Sequence, residues 1–251
     1  MNFDLTEDQR AIRDAFARFV DDRVVPQAAA LDEKHAFPRE LFGELAGLGF
    51  FGMRYPENVG GSGAGLMEFS LALAEIARGS MSLAGAAAMQ SLMGTKFLHM
   101  LGNADIVERL FKPALAGEKI GAICMTEPNA GSDLDGIATQ AKQVDGGWLL
   151  NGQKTWITSA PLADFFTVFA KAREEKKMTI FLVERHFEGF AVGREIHKMP
   201  RTACCASSCS STARRSSTRF PTSGITTAAP RRWASGRPGT RSSRTPIGST
   251  T

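Results

Sequence analysis

Cysteine is nearly absent from the first 200 residues, where Cys124 stands alone. A disulfide framework is excluded there, and a reducing, cytoplasmic setting is expected. No run of about 18 apolar residues occurs, so no membrane span is expected. The start, Met1-Asn2-Phe3-Asp4-Leu5-Thr6-Glu7-Asp8, is acidic and has neither the basic-then-apolar order of a secretory signal nor the arginines of a transit peptide. Histidine is scarce: His35, His99, His186 and His197 share no metal-ligand spacing, so no metal is expected. A Walker loop and a G-x-S-x-G elbow are both missing. The glycine cluster Gly60–Gly65 lacks the third glycine of a dinucleotide loop and follows no strand, so it reads as an interhelical connection.

Residues 201–251 lack most of what a core needs. They contain no Leu, Val, Met, Lys, Asp, Glu, Asn, Gln, His or Tyr. A segment of Ser, Thr, Arg, Ala, Pro and Gly is expected to be disordered. The missing polar residues all require adenine at the middle codon position. Only Phe220, Ile225 and Ile247 require thymine there. The other 48 of 51 have middle guanine or cytosine, the signature of a GC-rich gene read out of frame. The junction falls near Arg201–Ala206, and fold reasoning stops there. A basic Ser/Arg arm for RNA or anionic lipid is the rival reading. The nine arginines of this tail carry all the positive excess: residues 1–200 hold 21 Lys and Arg against 26 Asp and Glu, a net charge of −5. That balance argues against nucleic-acid binding by the body.

The remaining sequence divides in two. Over residues 1–117 the pattern is helical. Thr6 and Gln9 form a capping box ahead of the stripe Ile12, Phe16, Phe19, Val20 and Val24. Pro38 suits a first helical position before Leu41, Leu45 and Leu48. Helices are expected over Leu66–Ala77 and Met81–Leu101, with Gly102 as a C-terminal glycine. Asn103 caps a further helix carrying Ile106, Val107, Leu110 and Phe111, whose end Pro113 disturbs. Over residues 118–200 the texture changes to strands: Ile120–Thr126, Thr139–Val144, Trp148–Asn151, Phe165–Ala170 and Met178–Val183, with a hairpin at Asp145-Gly146-Gly147. Helices followed by strands predict an all-α domain and then an antiparallel, barrel-like β domain rather than a doubly wound sheet.

Two segments carry chemistry. Cys124-Met125-Thr126-Glu127-Pro128-Asn129-Ala130-Gly131-Ser132-Asp133 follows an apolar strand as a polar loop shaped by Pro and Gly. Such a loop can present several N–H groups and hydroxyls to one planar ligand, although an ordinary turn would look the same. In Leu150-Asn151-Gly152-Gln153-Lys154-Thr155-Trp156-Ile157-Thr158-Ser159, strand alternation puts Trp156 and Thr158 on one face. An indole beside a hydroxyl suits a flavin, while a core Trp is the bland alternative.

Together with the Leu5-Thr6-Glu7-Asp8-Gln9 opening and Pro56-Glu57-x-x-Gly60-Gly61, this pair of motifs resembles the acyl-CoA dehydrogenase family over residues 1 to about 200. The resemblance implies a helical domain, a middle β domain and a C-terminal four-helix bundle enclosing FAD, the bundle being lost here at the frameshift. It places Ile123, Met125, Thr126, Gly131, Ser132, Trp156, Ile157 and Thr158 at the cofactor. Thr126 would lie toward the pyrimidine side, Trp156 on the face away from substrate and Thr158 near N5. Ser132 would also touch substrate. The implied reaction is α,β-desaturation of an acyl-CoA thioester with hydride transfer to flavin. Electron-transferring flavoprotein is the implied acceptor, and the intact family forms homo-oligomers. The family's glutamate base belongs to the bundle, so no residue here is assigned as base, and the chain alone is expected to be nearly inactive. Glu127 is expected to be structural. Alternatives are a monooxygenase or nitroalkane oxidase on the same fold, or a non-catalytic flavin- or CoA-binding remnant.

Overall fold

The computed structural model describes residues 4–144, 147–172, 177–196, 206–213 and 218–219. Helices occupy the first part: α1 (Glu7–Phe19), α2 (Val25–Glu33), α3 (Arg39–Gly47), α4 (Leu66–Gly79), α5 (Met81–Met89), α6 (Lys96–Leu101), α7 (Ala104–Ile106) and α8 (Lys112–Leu115). Strands follow: β1 (Gly121–Cys124), β2 (Gln140–Val144), β3 (Gly147–Ile157), β4 (Phe165–Ala172), β5 (Lys177–Glu184), β6 (Phe190–Ile196), β7 (Ala206–Ala213) and β8 (Thr218–Arg219).

The capping box forms as the sequence predicts. Gln9 N donates to Thr6 Oγ1 at 3.2 Å, and Thr6 N donates back to Gln9 Oε1 at 3.1 Å. The α1 stripe buries Phe16, Val20 and Val24, and a Cβ at Gly79 of α4 would come within 2.6 Å of Val20. The helical core is aromatic. Phe50 lies 5.8 Å from Phe16 and 5.1 Å from Phe69 between ring centroids, and Phe42 lies 4.5 Å from Phe51. Each such ring contributes roughly 1.5–3 kcal/mol on burial.

Among the described residues, three π turns interrupt the helices, at Val20–Val24, Gln90–Gly94 and Val107–Phe111. Pro26 and Pro113 follow two of them. A proline cannot donate to the carbonyl four residues back, and a widened turn accommodates that loss. The expected single helix Met81–Leu101 is thus α5 and α6 joined by a π turn. Gly102 has φ −70°, so it ends α6 in extended rather than left-handed geometry.

The described strands belong to one sheet in the order β6-β7-β3-β2-β4-β5-β8, with β1 alongside β4. The helical domain and the β domain after it are as expected, but the sheet is mixed where an antiparallel one was expected. β1 and β2 both run parallel to β4, on the edge opposite β5. Gly121–Cys124 pair with Phe165–Val168, and Gln140–Ala141 pair with Lys171–Ala172. The chain therefore leaves this edge after Cys124 and rejoins it at Gln140, and residues 125–139 form the excursion. Local alternation cannot reveal this pairing, because it marks faces and not strand direction. The sheet curls on itself: Phe166 of β4 meets Phe190 of β6 at 4.4 Å, and Trp148 of β3 meets Phe181 of β5 at 5.4 Å.

Within the segment expected to be structureless, 206–213 and 218–219 are strands, while 201–205, 214–217 and 220–251 lie outside the described residues. β7 fills the slot between β3 and β6. A ladder is built from backbone groups, so a run without Leu or Val can still occupy it.

The two halves meet at Gln90, which is buried. Its Nε2 donates to Ala114 O (3.0 Å) and Lys119 O (2.9 Å), and its Oε1 accepts from Gly121 N (2.9 Å). Arg109 adds a two-pronged contact to Glu184 at 2.7 and 2.8 Å.

Candidate functional site

The excursion 125–139 and the end of β3 carry the two motifs, and the fold brings them together. Thr155 N donates to Thr126 O at 2.9 Å, and Lys154 Nζ donates to Met125 O at 3.1 Å. The excursion begins with a tight turn in which Glu127 N donates to Ala130 O (2.8 Å) and Ala130 N to Glu127 O (3.2 Å), with Pro128 and Asn129 at its tip.

Strand alternation does not place Trp156 and Thr158, and this corrects the sequence reading. The β3–β7 register shifts between Lys154 and Ile157, and Trp156 has φ +60°. β3 ends at Ile157, and Ser159, in the following turn, has φ +63°. Thr158 thus sits between two left-handed residues in a turn. A bulky residue in that region is strained by about 1–3 kcal/mol, and such strain clusters at binding and catalytic sites. The turn is braced from outside: Arg185 donates to Ala160 O and Ala163 O, both at 2.6 Å.

The consequence is an indole 54% exposed at the rim of the sheet. Ile123, Met125, Thr126 and Thr158 are half-buried nearby in the chain, while Gly131 and Ser132 are exposed on the excursion. The hydroxyls of Thr126, Ser132 and Thr158 make no hydrogen bond to another described residue. Ile157 is buried and lies in the ladder opposite Ser207, so its side chain faces the core.

Glu127 is structural, as expected. Its carboxylate accepts from Ala138 N (2.6 Å), Thr139 N (3.0 Å), the Thr139 hydroxyl and Lys154 Nζ (2.7 Å). Burial alone would raise its pKa, but the bonds from Lys154, Thr139 and the two amides outweigh it and hold the group below the usual carboxylate range. For Lys154, burial dominates over the attraction of Glu127 and lowers the ammonium pKa.

Sequence reasoning assigned Lys154 no role. A signal was present: Trp148, Leu150 and Lys154 fall on the inward face of β3, and a charge in an inward position requires a partner. Gly152 was also missed. A Cβ there would come within 2.2 Å of the Thr139 hydroxyl. Beside it lies a groove of about 420 Å³ between Pro128–Asn129, Thr139–Gln140 and Asn151–Gln153. Among the described residues no cluster of three metal-ligating side chains occurs, and no helix is long and apolar enough to cross a membrane.

Comparison with known proteins follows the same division of the chain. Residues 6–118 match the model "Acyl-CoA dehydrogenase, N-terminal domain", and residues 122–210 match "Acyl-CoA dehydrogenase, middle domain". Benzylmalonyl-CoA dehydrogenase of Aromatoleum aromaticum is 77% identical over 199 residues, covering 79% of this chain and 53% of that protein. A caffeyl-CoA reductase–Etf complex subunit of Acetobacterium woodii is 35% identical, covering 70% and 48%. Among solved structures, an FAD complex of PigA is similar with a TM-score of 0.82 and 27% identity, covering 91% of this chain and 61% of that one. The chain spans about half the length of the curated relatives it matches.

Proposed function

Because the chain belongs to the acyl-CoA dehydrogenase family through its N-terminal and middle domains, we propose that its sheet rim forms one wall of an FAD site in an enzyme that desaturates acyl-CoA thioesters. One observation carries this reading. The Thr155–Thr126 hydrogen bond joins the two motifs, so that an exposed indole stands at the same rim as hydroxyls with no hydrogen bond to another described residue. That donor set fits an isoalloxazine, which needs an aromatic face and hydrogen bonds at its polar edge. Trp156 would cover one face of the ring, Thr126 and Thr158 would bond its edge, and Ile123 and Met125 would pack beside it. Ser132 on the excursion would reach both cofactor and thioester. When bound, FAD supplies the acceptor for the hydride leaving the β-carbon.

The aliphatic and hydroxyl groups of this wall bind and orient. None of them can remove the α-proton, and Glu127 is committed to four hydrogen bonds within the fold. No base is assigned in this chain. The substrate names of the two curated relatives, benzylmalonyl-CoA and caffeyl-CoA, share an aromatic ring on the acyl group. An aryl-substituted acyl-CoA is accordingly the proposed substrate class. Electron-transferring flavoprotein is the proposed acceptor, in line with the Etf complex of the second relative.

FAD titration of the purified chain tests the reading. Flavin fluorescence should be quenched on binding, and Trp156→Ala and Thr126→Val should each weaken binding about tenfold, the equivalent of one good contact. Unquenched flavin at high chain concentration would refute the cofactor assignment. With an aryl-acyl-CoA and an artificial acceptor, the chain by itself should show almost no turnover. Ready turnover would show that a base has been overlooked.

A further inference from the structure

The Lys154–Glu127 pair is more deeply buried than any other ion pair among the described residues, with side chains 4% and 5% exposed. Every other Lys or Arg in a described pair is at least 40% exposed. A buried ion pair is not needed for stability, since an apolar pair of similar volume holds a fold equally well or better. Its bonds are directional, however, and here they converge on one residue.

The ammonium bonds Met125 O, immediately before Thr126, and the carboxylate of Glu127, immediately after it. The residue next to Lys154, Thr155, bonds Thr126 O. Three hydrogen bonds from two adjacent residues of β3 thus grip three consecutive residues of the excursion. The far side of Glu127 is tied to Ala138 and Thr139, where the excursion rejoins the sheet. Immediately beyond the grip, the backbone turns left-handed at Trp156.

We propose that Lys154 is a positioning residue that fixes Thr126 relative to Trp156, setting the spacing between the hydroxyl and the aromatic face of the flavin wall. The role assigned to that spacing rests on the FAD reading above. The grip itself does not.

The test uses the full chain carrying Lys154→Met together with Glu127→Gln, which removes both charges and the ammonium's grip while the carboxamide oxygen still accepts from Ala138 and Thr139. Two quantities are read: amide hydrogen exchange at Thr155 and affinity for FAD. Far-UV circular dichroism should match the wild type. Exchange at Thr155 should rise about tenfold while the β4 and β5 amides stay protected, and FAD affinity should fall about tenfold. Glu127→Gln alone, with Lys154 in place and an acceptor kept for its ammonium, should restore most of both. Unchanged exchange at Thr155 would overturn the proposal. Loss of the far-UV signal would overturn it too, because the pair would then be a requirement of the fold. If the wild type takes up no FAD, the cofactor reading fails, and exchange at Thr155 still decides whether Lys154 positions the loop.

Discussion

The helical half and the rim of the sheet are secured by opposite chemistry. Phe42, Phe50, Phe51 and Phe69 bury their rings against one another, and attraction between such surfaces has little directional preference. At the rim, Glu127, Lys154 and Thr139 are equally buried but meet through hydrogen bonds. The first arrangement tolerates small shifts and gives stability. The second tolerates few and gives placement, which is what a cofactor wall requires.

Substitutions can break or sharpen this contrast. The largest effect is expected for Lys154→Met alone, which leaves the Glu127 carboxylate buried without its cation. Urea denaturation should show a loss of about 3–5 kcal/mol. Gly152→Ala comes next. Its methyl group would collide with Thr139, and overpacking of this kind costs about 2 kcal/mol. Exchange at the Ala138 and Thr139 amides should rise in that variant, because the clash pushes Thr139 away from their shared acceptor, Glu127. Phe51→Leu in the helical core should cost about 1 kcal/mol and leave exchange at Thr155 untouched. If it costs as much as Lys154→Met, or loosens Thr155, the contrast between the two regions is wrong.

The smallest effect is with pH. Folding depresses the Glu127 pKa, so its contribution is fully present above the ordinary value of about 4.3 and is lost as pH falls through the folded value. Burial, with the nearby Lys96, depresses His99, so its contribution declines earlier, as pH drops below about 6.5. Thermal midpoints measured from pH 7 to pH 3 should fall in two stages. In Glu127→Gln the lower stage should shrink while the upper one persists.

Much of this was legible in the sequence because it is local. Thr6 and Gln9 are three residues apart and cap a helix by themselves. Val144, the last residue of β2, pairs with Gly147, the first of β3, as the glycine-marked hairpin expected there requires. The two motifs could be recognised as belonging together before their contact was seen. What escaped is non-local or depends on the backbone. Parallel pairing of β1 and β2 with β4 joins segments that share no turn. The partner of Glu127 is 27 residues away. The left-handed Trp156 coincides with a register shift in the β3–β7 ladder, and residue type gives no hint of either.

Gln90 has a consequence for how such chains can be recombined. One carboxamide measures out the connector, bonding Ala114 at its start, Lys119 near its end and Gly121 at the first residue of the sheet. Inserting or deleting a single amino acid between Leu115 and Ile120 would leave at least one of those three partners out of reach. A chimera that joins this helical half to a sister protein's sheet should therefore be cut beyond Gly121, so that gauge and gauged length are inherited together.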